Sequence, residues 1–404
     1  MPDLQGYYHH TPGSLSRTGV LDVGLQCSHS CKFCYYSFMV AKNGQHGALR
    51  KASFRSTKDC LCIIELMASH GLKNFDITGG EPTLHKGLEE MVHQARQVGM
   101  TVRVITLGQF LLDSKGTRLL DRLLRAGLTD ILFSVHASTE ENFRMATGGS
   151  LKKILNSMDI LDSQGFEYCI NTVIHSGNIE DLPNIAKLLV SRGVYHHNFI
   201  AFNAYYKWDS PADVQNMQAA YSDIALYLAH AVDILLNAGA AVTLRFLPLC
   251  VLPNRAHLVV GVTGLHYDPH EWRNRAGNPD KTPEYCAEPL PLLSHGPRKI
   301  HALHQGPHMV DFGSHGKVHT VAQRGDAFKV FPEICSQCAA MHYCDGVDPQ
   351  YLLLHGTNGL TPFEEMNGHG VLTEDRRKYI PAFLVKCSPT VQMRAAIQNQ
   401  DYSN

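Results

Sequence analysis

From about Thr18 to Phe246 the chain alternates short β-branched runs with amphipathic stretches of helical length. That alternation restricts the fold to βα units around a parallel sheet. Six strands are expected, at roughly 19–25, 74–78, 101–106, 130–135, 168–174 and 198–203, with 242–246 as one more. Helices are expected at 56–70, 87–98, 117–126, 150–164, 181–192 and 212–236. Several close on glycine, as in His70-Gly71 and Ala126-Gly127, the residue that most easily adopts the backbone conformation past a helix end. Such units build an open doubly wound sheet or a partial barrel, and in parallel barrels the chemistry sits at the C-terminal strand ends.

Directly after the first strand stands Cys27-Ser28-His29-Ser30-Cys31-Lys32-Phe33-Cys34. Three soft thiolates this close select an iron-sulfur cluster, zinc or Cu(I), and a three-ligand set leaves one metal position open to an outside ligand. Structural zinc takes four protein ligands, so a partial zinc site is the competing reading. Thr78-Gly79-Gly80-Glu81-Pro82 follows the second strand. Paired glycines let a backbone approach a ligand closely, and the adjoining carboxylate can hold an ammonium group by charge-assisted hydrogen bonds.

The spacing Cys-x3-Cys-x-aromatic-Cys, with Phe33 in the aromatic slot and Gly79-Gly80-Glu81-Pro82 one βα unit later, resembles the signature of the radical S-adenosylmethionine (radical SAM) superfamily. The resemblance implies an α/β fold, a partial (β/α)6 TIM-like barrel. It implies that Cys27, Cys31 and Cys34 hold a 4Fe-4S cluster whose fourth iron is chelated by the amino and carboxylate groups of SAM. Reductive cleavage of SAM would then give a 5′-deoxyadenosyl radical that takes hydrogen from a substrate. Gly79, Gly80 and Glu81 correspond to the positions that meet the methionyl amino group. Ser134, at the end of the fourth strand, and Asn171 in the fifth, with Asn178 beyond it, resemble positions that hold ribose and adenine; ordinary strand-end polarity is the alternative. His136 is read as a loop-edge histidine before it is read as an acid or base.

A second triplet, Cys335-x2-Cys338-x5-Cys344, resembles part of the SPASM-type extension that carries auxiliary clusters. The full pattern continues with a cysteine where this chain has Asp348, and its upstream pair is broken by His301, so one auxiliary 4Fe-4S cluster is expected and not two. Cys250, Cys286 and Cys387 are the candidates for its fourth ligand. The SPASM pattern would favour Cys387, whereas Cys250 is favoured here because it ends a strand that finishes near the barrel mouth; an open fourth iron and a structural zinc knuckle are the alternatives. Cys60, Cys62 and Cys169 fall on helix or strand patterns and are expected to be buried small hydrophobes. The histidines between His295 and His319 sit among Gly and Pro, which argues against helices that would align them on a metal. Phe202 to Trp208 leaves the sixth strand as a candidate substrate wall.

The domain division expected is 1–17 as an N-terminal segment, 18–246 as the barrel and 247–404 as an irregular C-terminal auxiliary-cluster region. With 36 basic and 37 acidic residues in 404, the chain has no global attraction to nucleic acid or to an anionic membrane. No signal peptide opens it and the most apolar long stretch, 219–242, is interrupted by Asp223, His230, Asp233 and Asn237, so a cytoplasmic location is expected. Twelve cysteines without an export signal point to metal ligands and buried thiols. The leading function is hydrogen abstraction from a small polar or carbohydrate-like substrate, with electrons from a donor such as flavodoxin or ferredoxin. A peptide maturase is the second reading, although 26 residues before Cys27 are too few for a fused leader-recognition domain. A non-catalytic zinc- or cluster-binding protein is the third.

Overall fold

The computed structural model describes residues 18–34, 50–69, 74–112, 118–202, 217–260, 272–274, 309–311, 317–322, 328–340, 344 and 346–364. Its centre is a parallel sheet: β1 (Thr18–Asp22), β2 (Asn74–Thr78), β3 (Thr101–Thr106), β4 (Asp130–Ser134), β5 (Cys169–Ile174), β6 (His196–Ala201), β7 (Ala241–Arg245) and β8 (Val259–Val260) pair in chain order, and β9 (Trp272–Asn274) adds beside β1. Every neighbouring pair is parallel. No described residues pair β8 back to β9, so the sheet is an open one in barrel order. Between the strands run α1 (Thr57–Ser69), α2 (Leu88–Gln97), α3 (Leu119–Arg125), α4 (Glu140–Thr147), α5 (Leu151–Ser163), α6 (Leu182–Val190) and α7 (Tyr221–Asn237).

β1 ends sooner than its apolar run suggests. At Gly24 the backbone turns with φ +140° and bridges Phe54, so Leu25 already belongs to the loop. Helix α7 starts at Tyr221; 217–220 hold no helical turn that continues into it, and 203–216 lie outside the described residues. An unexpected helix, α4, is capped at one end by the Thr139 hydroxyl, which accepts from Asn142 N–H, and at the other by left-handed Gly148.

The two faces of the sheet differ in chemistry, and the register shows how. Leu21, Phe75, Ile77, Val102, Val104, Ile131, Phe133, Ile170, Phe199, Val242 and Leu244 alternate onto the helix-covered side and are buried. Each such side chain contributes about 1.5–3 kcal/mol through burial. The other face carries Asp76, Arg103 and Asp130 in register, with Arg103 Nε 2.7 Å from Asp130 Oδ2, and nearer the C-terminal ends Ser134, Asn171, Asn198 and Thr243. Asn198 Nδ2 donates to Asn171 Oδ1 at 3.1 Å and Thr243 Oγ1 donates to Asn198 Oδ1 at 2.9 Å. Parallel strands buried on both faces are normally apolar throughout, so a polar ladder on one face marks a hydrogen-bonding interior.

Past β8 the described pieces include an antiparallel meander, β10 (Met309–Asp311), β11 (Lys317–Ala322) and β12 (Phe328–Phe331), and a short helix α8 (Pro349–His355). The sequence reading allowed one hairpin in this region; the alternating Val318, Thr320 and Phe328, Val330 supply a third strand. Cys286, Cys387, His301 and His304 lie outside the described residues. Among the described residues, no helix is long and apolar enough to cross a membrane.

Candidate active site and a second thiol pocket

The loop that follows β1 is held by backbone on both sides. On one side Gly80 N–H donates to Gly24 O at 2.8 Å and Glu81 N–H to Gln26 O at 2.9 Å. A methyl group on Gly80 would stand 2.2 Å from Gln26 O. The glycine pair after β2 therefore permits two stretches of protein backbone to touch, where the sequence suggested close approach to a ligand. On the other side the end of α4 accepts two amides of the loop, Ser30 N–H to Thr147 O at 2.8 Å and Lys32 N–H to Ala146 O at 3.1 Å. A methyl on Gly149 would meet the His29 ring at 2.2 Å. Residues 24–32 are thus clamped between Gly79-Gly80 and Gly148-Gly149.

The clamp places the three thiols at the C-terminal strand ends. Cys27 and Cys31 are buried and Cys34 is half-buried, and no described cysteine is tied in a disulfide. Burial pushes the Cys27 thiol up to about 12 and the Cys31 thiol well above its ordinary value, with Cys34 and Glu81 adding to both through charge repulsion. Thiols that feel each other's charge in a buried loop suit a polynuclear cation that supplies positive charge as their protons leave. Among the described residues no group of three or more Cys, His, Asp or Glu side chains closes as around a single metal ion. Three closely spaced thiolates are a donor set that fits a 4Fe-4S cluster with one iron left to an outside ligand, whereas structural zinc takes four protein ligands.

Phe33 is gripped by two histidines that sequence reasoning did not connect. His136 meets its edge at a centroid distance of 4.6 Å and His175 stacks on it at 5.0 Å. His136 Nδ1 accepts from Val173 N–H at 3.1 Å, and burial holds the ring well below its ordinary pKa. Asn178 supports the pair: its Oδ1 accepts from His175 N–H at 2.9 Å and its Nδ2 donates to the carbonyls of His136 and Val173 at 3.0 and 2.9 Å. Its amide is thereby committed to protein partners rather than to adenine.

Glu81 is placed differently from the sequence expectation. Its carboxylate is fully buried and accepts from Thr83 N–H at 3.0 Å, from the Thr83 hydroxyl, from Thr106 Oγ1 at 2.6 Å and from Leu107 N–H at 2.7 Å. Burial raises its pKa while those hydrogen bonds lower it. The side chain ties the β2 loop to the end of β3, and a direct grip on an ammonium is not its arrangement here. Ser134 and Asn171 do face each other across β4 and β5, and both are half-buried.

Cys335, Cys338 and Cys344 line one apolar pocket together with Cys250, Leu249 and Phe363. Burial pushes Cys250 up to about 12, with Cys344 and Cys338 adding to it, and Cys335 is raised by burial and by Cys344, Cys250 and Cys338. Cys250, the favoured candidate for a fourth ligand, lines that pocket with the triplet, while Cys286 and Cys387 lie outside the described residues. Cys60 and Cys169 are buried as expected, but Cys62 is exposed, because two positions along a helix turn a side chain to the opposite face.

Residues 22–189 match the family described as the radical SAM superfamily. A probable GTP 3′,8-cyclase of Saccharolobus islandicus is 28% identical over 176 residues, covering 43% of this chain and 54% of that protein. The PqqA peptide cyclase of Granulibacter bethesdensis is 28% identical over 185 residues, 45% of this chain and 46% of that protein. The chain thus spans about half the length of these curated relatives. Among solved structures, Streptococcus suis SuiB bound to S-adenosylmethionine is similar at 13% identity and a TM-score of 0.47, over 63% of this chain and 52% of that one.

Proposed function

Because residues 22–189 match the radical SAM superfamily, we propose that this chain binds a 4Fe-4S cluster at Cys27, Cys31 and Cys34 and SAM at the iron those thiolates leave open. The observation that carries the proposal is the clamped, buried three-thiol loop at the C-terminal strand ends. When bound, cluster and cofactor supply a 5′-deoxyadenosyl radical. The protein's own part is to hold and shield. The two glycine pairs fix the loop, His136 at its edge and His175 on its face hold the Phe33 ring, and Ser134 with Asn171 offers hydrogen bonds to a ribose. An electron donor such as flavodoxin or ferredoxin completes the system.

The Asn171–Asn198–Thr243 ladder gives the interior fixed donors and acceptors, which favours a small polar substrate. The similarity to a probable GTP 3′,8-cyclase fits that class; the similarity to PqqA peptide cyclase favours a peptide as the second reading. The carbohydrate-like substrate finds no support among these relatives. The division at about residue 246 assigns the four-cysteine pocket to the C-terminal region, where it would hold an auxiliary cluster with all four irons ligated by the protein. Anaerobic reconstitution followed by electron paramagnetic resonance tests the cofactor assignment: SAM should change the spectrum of the reduced cluster, and an unchanged spectrum would remove SAM from the open iron. Substrates deuterated at defined carbons, a nucleotide in one arm and a peptide in the other, should then pass label to 5′-deoxyadenosine in only one arm.

A further inference from the structure

The two thiol sites are joined by one short element. Helix α8 leaves the four-cysteine pocket and its chain returns to it: Gly346 and Val347 before the helix, and Leu360, Pro362 and Phe363 after it, all line that pocket. The return is fastened by Ala339 N–H donating to Phe363 O at 2.9 Å and Phe363 N–H to Cys338 Sγ at 3.4 Å. Between these anchors, Tyr351 is fully buried, stacks on Tyr221 at 3.7 Å and accepts from Tyr221 N–H at 2.8 Å. His355 Nε2 lies 3.1 Å from Gln218 O. One turn beyond Tyr351, Leu354 packs on the apolar cluster of Cys31, Phe33, Ala146 and Phe202, with Cys34, Val173 and Met217 around it. The neighbouring Leu353 points away and is 47% exposed.

We propose that α8 is a strap through which the four-cysteine pocket positions Leu354 over the first thiol loop, so that loading the pocket shields the SAM-binding cluster. The inference rests on the cofactor reading above. It follows from geometry: both ends of a nineteen-residue loop, 346–364, are set by the pocket, and Leu354 between them packs on the apolar cluster that contains Cys31 and Phe33. A metal at the pocket draws Cys250, Cys335, Cys338 and Cys344 together, fixes the two roots of the loop and holds Leu354 down. Leu354 is in this sense a positioning residue, acting through Phe33 and the loop rather than on substrate.

The test uses the full chain, reconstituted with iron and sulfide, and measures how fast a ferrous chelator extracts iron from the first site, together with hydrogen exchange of the amides of residues 27–34. Leu354→Ala should raise both rates several-fold, Leu354→Met should restore them, and Leu353→Ala should leave them as in the parent chain. Replacing Cys335, Cys338 and Cys344 by Ala should reproduce the Leu354→Ala rates, and combining the two should add nothing further, as for residues acting through one contact. Unchanged rates, or additive effects, would overturn the strap while leaving the first cluster in place. Failure of the parent chain to take up iron and sulfide at Cys27, Cys31 and Cys34 would overturn the cofactor reading, and the strap with it.

Discussion

Glu81 shows how a residue's neighbours change its assignment. A carboxylate after two glycines reads as a ligand for an ammonium group, but the donors that occupy it come from Thr106 and Leu107, at the end of the next strand. Nothing local to Gly79-Gly80-Glu81 announces partners 25 and 26 residues away. Glu81→Gln replaces an acceptor oxygen by a donor facing other donors. Hydrogen bonds to a charged group contribute about 1.5–3 kcal/mol each, so a loss of stability of that order is expected. Weaker SAM binding should follow from the loosened loop, with iron content retained. Denaturant midpoints and a SAM dissociation constant check this; a stable variant with weak SAM binding would return Glu81 to direct contact. His197 makes a second prediction at this scale. It is buried, stacked on Phe199 at 3.9 Å and bonded to Thr172 Oγ1 at 3.0 Å, and burial lowers its pKa from 6.5 to about 3. A histidine held neutral when folded takes up its proton more readily when unfolded. Its stabilising contribution is therefore complete above about 6.5 and is lost as pH falls toward 3. His197→Gln should flatten the fall of unfolding free energy between pH 6 and pH 4 by up to about 1.4 kcal/mol per pH unit; an identical slope would contradict it.

The elements most legible in the sequence are those whose apolar run ends abruptly. β2 and β3 are found where the β-branched stretches place them, since Gly79 and the Leu107-Gly108 turn stop them cleanly. An apolar run through Val23 and Leu25 predicts a longer β1, and both are buried, yet Val23 already lies past the strand and Leu25 follows the turn at Gly24. Helix α4 was missed: its eight residues are largely polar, with Phe143, Ala146 and Thr147 buried, and it follows directly on a strand. Thr139 before it and Gly148 after it were the signals that could have found it. That helix matters because its last carbonyls hold the thiol loop. Gly80→Ala tests the clamp from the other side. With backbone oxygen 2.2 Å from the new methyl, the chain must shift, at about 1–3 kcal/mol for an overpacked contact. The expected outcome is a lower unfolding midpoint and a fall in iron bound after reconstitution; full iron uptake by a stable Gly80→Ala protein would show that the clamp is not needed.

At the scale of the molecule, an open sheet in barrel order gathers the thiol loop, the His136–Phe33–His175 contacts and the Ser134–Asn171 pair at one end, and the four-cysteine pocket holds a second set of thiols. The cysteine spacings made both sets legible, but that Cys250 stands beside the second is visible only from the path of the chain from β7 through Leu249. The two sets have different expected roles, and the difference is measurable. The most direct test is production of 5′-deoxyadenosine from SAM under anaerobic reduction, compared between two triple variants of the reconstituted chain. Replacing Cys27, Cys31 and Cys34 by Ala should abolish it. Replacing Cys335, Cys338 and Cys344 should lower iron by about four per chain, as for one Cys-ligated 4Fe-4S centre, while slow SAM cleavage persists. Parental levels of 5′-deoxyadenosine from the first variant would contradict the assignment of the radical chemistry to the clamped loop.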